Sequence, residues 1–68
     1  MKVNVNDYNT IYTADQDYDG PEGTILKGER FRISKSDMEL ADDLVLISLV
    51  NDDYDMSIRH EDGVLISD

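Results

Sequence analysis

Apolar and polar residues alternate along this chain in short stretches, and the period is two. Val3 and Val5 alternate with Lys2, Asn4 and Asn6, the pattern of a short edge strand. Asn6-Asp7 offers a turn, and Asn9 to Ala14, with Ile11, Tyr12 and two threonines, is rich in β-formers. Thr24-Ile25-Leu26 starts a further strand, broken at Lys27-Gly28. The clearest stretch follows: Phe31 and Ile33 alternate with Arg30, Arg32 and Ser34, so one face is apolar and the other cationic. Leu44 to Val50 is a continuous apolar run of strand length and predicts the central strand. Asn51 to Asp55 is a polar hairpin connection. Met56, Ile58 and His60 then alternate with Ser57, Arg59 and Glu61, and Asp62-Gly63 signals a tight hairpin turn before Val64-Leu65-Ile66.

One stretch departs from this period. Ser36-Asp37-Met38-Glu39 matches a capping box, and Met38, Ala41 and Val45 fall at helical spacing. The pattern predicts a single helical turn around 36–42 leading into the central strand.

Five or six short strands with turn signals about every ten residues indicate an all-β fold. With 68 residues the chain makes one domain, 1–68, and is too short for a two-sheet sandwich. A small antiparallel barrel of five to six strands is the economical solution, because closure removes exposed edges. Its expected core is Val3 or Val5, Ile11, Ile25, Leu26, Phe31, Ile33, Leu44 or Val45, Leu46 or Ile47, Leu49, Ile58, Val64 and Ile66. There is no cysteine, so no disulfide supports so thin a core.

The segment Leu26-Lys27-Gly28-Glu29-Arg30-Phe31-Arg32-Ile33, preceded by a long acidic loop, resembles the first half of an SH3-like barrel. In that family a long loop leads into a diverging turn of the form Leu-x-x-Gly-Asp/Glu, followed by alternating apolar positions. Here one residue fewer precedes the glycine. Tyr12 and Tyr18 are similar to the family's aromatic pair at the first strand and loop. The chain lacks the tryptophan with which such domains bind polyproline, and the proline and tyrosine near the final turn. The resemblance therefore implies the scaffold and not the ligand.

The loop in question runs from Asp15 to Gly23 and holds the only proline, Pro21. Asp15-x-Asp17-x-Asp19-Gly20 reproduces the start of an EF-hand loop, with oxygen ligands at alternate positions and a glycine for the bend. Asp15, Asp17, Asp19 and Glu22 are thus candidate Ca²⁺ ligands. Leu26 stands where the closing glutamate should be, and strand patterns flank the loop, so a solvated acidic loop is the competing reading.

Charge narrows the classes of partner. The net charge is −10, which repels nucleic-acid phosphates and anionic membranes and favours a basic protein partner. The distribution is uneven: four cations stand against one acid over 27–35, and Arg59 stands alone against ten acids over 36–68. Cross-strand pairing is the simplest expectation for the basic strand. Tyr18 and Tyr54 are each set between aspartates, in Asp17-Tyr18-Asp19 and Asp53-Tyr54-Asp55. Tyrosine among acids suits an arginine-rich partner. The candidate partner-binding residues are therefore Asp15, Asp17, Tyr18, Asp19, Asp52, Asp53, Tyr54 and Asp55.

No nucleophile motif, phosphate loop or dinucleotide fingerprint is present, and His60 is the only histidine. The expected function is a small acidic binding or regulatory module, not an enzyme and without a cofactor, of the kind encoded by phages and mobile elements. Two alternatives stand beside it: a nucleic-acid mimic whose carboxylates occupy a basic cleft, and a Ca²⁺-dependent structural module. No apolar run reaches signal-peptide or membrane-span length, and with the missing cysteine this leads to a cytoplasmic expectation.

Overall fold

Strands form where the alternation is cleanest. The computed structural model describes residues 1–37, 39–52 and 54–67, so Met38, Asp53 and Asp68 lie outside the described residues. Its strands are β1 (Ile11–Thr13), β2 (Tyr18–Gly20), β3 (Gly23–Ile25), β4 (Arg30–Ile33), β5 (Leu44–Leu49), β6 (Asp55–Glu61) and β7 (Val64–Leu65). Five of them make one antiparallel sheet in the order β1-β4-β5-β6-β7, with the predicted central strand, β5, at its middle. β2 and β3 form a separate two-stranded ribbon. The five-stranded sheet is a half-barrel, SH3-like in general shape.

Register follows the apolar pattern. Phe31 pairs with Leu49 and Ile33 with Ile47, while Ile47 faces Met56 and Val45 faces Ile58. These residues share the inner face, and all are buried. Tyr12 pairs with Phe31 across β1 and β4, and their rings stack with centroids 5.7 Å apart. Arg30 and Arg32 point outward as their alternation requires. The register sets Arg32 opposite Ile11 and Ser48, and Arg30 opposite Thr13. The acids expected directly across from these arginines are therefore elsewhere.

The β2–β3 ribbon packs against β6. Gly20 makes the approach possible: a Cβ there would sit 1.8 Å from the Ser57 carbonyl oxygen. Ile25 and Tyr18, the first residue of β2, are driven into the core with 0% exposure. After Ile25 the chain makes the diverging turn. Glu29 N–H donates to the Leu26 carbonyl at 3.0 Å, and Gly28 takes a φ of 91°, which glycine adopts without strain.

The β6–β7 hairpin turns on Asp62 and Gly63, both with positive φ (51° and 83°), as a type I′ turn requires. The N-terminal segment adds to its outer edge. Val3 N–H donates to the Gly63 carbonyl at 2.7 Å, Leu65 N–H donates to the Met1 carbonyl at 2.8 Å, and Lys2 bridges Val64.

Three expectations are corrected. First, the five- to six-stranded closed barrel is instead an open five-stranded sheet with a ribbon over one side. The sheet curls enough for Asn4 N–H to reach the Tyr12 hydroxyl at 3.0 Å. Yet β1 has three residues and β7 two, too little backbone for a closing ladder. Second, no helical turn exists among the described residues, so the turn expected around 36–42 is absent (its Met38 lies outside them). The ends of this segment belong to the strands: Ser34 N–H donates to the Leu46 carbonyl, and His60 N–H to the Asp43 carbonyl. Ala41 is exposed and Leu40 only half-buried, so a helix here would bury too little to offset its nucleation cost.

Third, the core is shifted. Ile11, Leu26, Val64 and Ile66 are exposed, while Ala14, Tyr18, Met56 and Leu65 are buried. Leu65 replaces Val64 and Ile66 because a one-residue change of register exchanges the two faces of a strand. No helix among the described residues is long and apolar enough to cross a membrane.

Candidate functional site

The acidic segment after Ala14 folds as a ribbon, and its carboxylates take separate duties. The Tyr18 hydroxyl donates to Asp15 Oδ1, and Gln16 Nε2 donates to the same hydroxyl at 3.4 Å. Asp17 Oδ1 accepts from Lys27 N–H at 2.8 Å, which fixes the start of the diverging turn. Asp19 Oδ1 accepts from Thr24 Oγ1 at 2.8 Å across the ribbon. Glu22 Oε1 accepts from Ser57 Oγ at 3.3 Å, joining the ribbon tip to β6. The four candidate Ca²⁺ ligands are thus distributed over four different donors. Among the described residues no group of three or more carboxylates and imidazoles comes together to hold a metal ion.

The Asp15–Tyr18 contact couples two ionisations. Donation from the Tyr18 hydroxyl, the largest cause, holds the Asp15 carboxyl below the ordinary aspartate value. Burial, and after it the bond to Asp15, pushes the Tyr18 phenol above its usual value.

The predicted partner-binding residues are therefore divided. Tyr18 is in the core and presents no surface, which corrects its reading as an exposed contact. Asp15 and Asp17 are exposed but already accept hydrogen bonds from the ribbon and the turn. Asp52 and Tyr54 are exposed on the β5–β6 connection, Tyr54 by 47%, and Asp55 is exposed at the start of β6. Asp19 is half-buried and accepts from Thr24, and Asp53 lies outside the described residues.

The concave surface lies at the other end of the sheet. A cleft of about 690 Å³ opens between the N-terminal segment and the β6–β7 hairpin, lined by Lys2, Val3, Asn4, Val5, Asp42, His60, Asp62 and Gly63. Asp42, Asp62 and His60 thus line one cavity together with buried Val3. The hairpin sets these groups in place. Gly63 N–H donates to His60 Nδ1 at 3.2 Å, which orients the ring and gives Nδ1 the role of acceptor. His60 N–H in turn holds the Asp43 carbonyl at 2.8 Å, anchoring the segment that carries Asp42.

A second cavity of about 370 Å³ adjoins the first. It shares Val5, Asp42 and His60 with it and adds Tyr8, Leu40, Leu44 and Leu46. Tyr8 sits on a turn held by local bonds. Asp7 N–H donates to the Asn4 carbonyl, Asn9 N–H to Asp7 Oδ1 and Thr10 Oγ1 to Asp7 Oδ2. The Thr10 hydroxyl is the main reason the Asp7 carboxyl titrates below its ordinary value.

Sequence reasoning missed this cleft. Asp42, His60 and Asp62 are eighteen and two residues apart, and no local spacing brings them together. The available signal was the Asp62-Gly63 turn, which places the residues before and after it on one hairpin end.

No protein-family model, curated protein or solved structure matches the chain. The site's assignment therefore falls to the chemistry of its own residues.

Proposed function

We propose that this chain is a non-enzymatic protein-interaction module that receives a basic protein partner. The observation that supports this reading is the cleft lined by Asp42, Asp62 and His60, where Lys2 is the only lysine or arginine among the described lining residues. An open, partly apolar cavity with a few convergent polar groups is the usual form of a binding site. Two carboxylates there suit an arginine or lysine side chain, whose alkyl stem would lie on Val3 and Val5. The surrounding charge of −10 steers such a partner inward. His60 Nδ1 is occupied by a backbone N–H, which favours a positioning duty over general-base work.

The test is capture by the immobilised chain at two salt concentrations, compared with the Asp42→Asn/Asp62→Asn variant. The expected result is retention of a basic protein that weakens as salt rises and is lost in the variant. Equal retention by the variant, or retention of partners without basic character, overturns the proposal.

A further inference from the structure

The cleft continues past Tyr8 into a third cavity of opposite charge. That cavity, about 320 Å³, shares Tyr8, Ile33 and Ser34 with the middle one and adds Arg32, Lys35, Ser48, Leu49 and Val50. Among the described residues no carboxylate lines it. In a chain with sixteen acids and six lysines and arginines, two of those cations meet here. The register explains why: Arg32 stands between Ile11 and Ser48, so its immediate cross-strand neighbours carry no charge.

The middle cavity shares lining residues with each of the other two, so the three adjoin in series and make one groove. One end carries Asp42 and Asp62, the middle carries Leu44, Leu46 and Tyr8, and the far end carries Arg32 and Lys35. Leu44 and Leu46 are only half-buried, and Tyr8 is 41% exposed, so among the described residues the middle offers partly exposed apolar surface. From Leu44 to Ser48 β5 advances four residues, roughly 13 Å at strand rise. That length takes about four residues of an extended peptide, with the charged groups at its ends.

We infer that the groove binds an extended peptide segment of a partner protein with a basic residue at one end, apolar residues in the middle and an acidic residue at the other. Charge complementarity commits the occupant. A uniformly basic segment meets Arg32 and Lys35, and a uniformly acidic one meets Asp42 and Asp62. Only a bipolar segment satisfies both ends, and like charges set opposite one another reject the alternatives. The inference rests on the proposed protein-interaction function and adds the polarity of the ligand.

Selection of a random heptapeptide display library on the full chain tests it. The expected consensus has arginine or lysine at one end, leucine, valine or an aromatic residue between, and aspartate or glutamate at the other. The Arg32→Glu/Lys35→Glu variant should exchange the acidic end of that consensus for a basic one. The substituted side chains are exposed, and an unchanged melting profile verifies that the variant folds. A selected consensus with no acidic end, or one that the variant leaves unaltered, overturns the inference while leaving a basic ligand of Asp42 and Asp62 standing. Absence of any enriched peptide overturns the inference too, and salt-sensitive capture of a basic protein then decides the broader function separately.

Discussion

The chain contains Asp-Tyr-Asp twice, and the two copies have opposite fates. In Asp17-Tyr18-Asp19 the ring is fully buried, and in Asp53-Tyr54-Asp55 it is 47% exposed. Local composition is the same, so it cannot be the cause. Tyr18 opens a strand of a ribbon that folds back over β6, and alternation then points its ring inward while Asp17 and Asp19 turn outward. Tyr54 sits on the connection between β5 and β6, and among the described residues none buries its ring. Burial of an aromatic flanked by acids is decided by what the segment lies against, and the acids then serve as acceptors for the ribbon's own donors.

Substituting each tyrosine should separate the two roles, beginning with the largest effect. Tyr18→Ala is expected to cost about 3–5 kcal/mol, as for other buried aromatics, and chemical denaturation would measure it. In so small a domain this approaches the whole stability. If Tyr18→Ala unfolds at the same denaturant concentration as the parent, the ribbon does not contribute to the core. Gly20→Ala attacks the cause of burial instead of its result. Its Cβ would meet the Ser57 carbonyl, so a loss of about 1–3 kcal/mol is expected, with weakened protection of the β2–β3 amides in hydrogen exchange.

Tyr18→Phe sharpens the comparison through pH. In the folded protein the Asp15 carboxyl is held low by the Tyr18 hydroxyl, so its contribution is present above the unfolded value near pH ~3.9 and is lost as pH falls through the folded value. The Tyr18 phenol is raised, so its contribution is present below pH ~10 and is lost as pH rises through the folded value. Tyr18→Phe should therefore flatten melting temperature against pH on both the acid and the alkaline limb. Identical profiles for the two proteins would show that the contact is not maintained in solution. The smallest effect is expected at the other triplet. Tyr54→Ala should change stability by no more than about 0.5 kcal/mol, as for most exposed positions.

Strands were legible because alternation is a direct record of which face is buried. Arg30-Phe31-Arg32-Ile33 and the apolar run from Leu44 predicted β4 and β5 within a residue. The second half of the ribbon was legible in Thr24-Ile25, but β2 was not, because its polar residues resembled a solvated loop, although Asp17-Tyr18-Asp19 is itself a period-two pattern. Capping-box residues over 36–39 suggested a helix, but a cap contributes only about 1 kcal/mol, and of the described residues here Ala41 is exposed and Leu40 only half-buried. The cleft was beyond reach for a different reason. Asp42, His60 and Asp62 meet through strand pairing between distant segments, and pairing is a property of the sheet and not of any window of sequence.

The N-terminal segment, bonded beside β7, has a consequence for connectivity. Lys2 and Val64 share one rung, with Met1 and Leu65 hydrogen-bonded next to it, so the two ends of the described chain run side by side. Topologically the molecule is almost a ring with a single gap. A short linker across that gap would yield a circular permutant reopened in the connection between β5 and β6, with every strand pairing retained. In such a molecule Met1 would be held by covalent continuity on both sides, next to the Lys2 and Val3 that line the cleft.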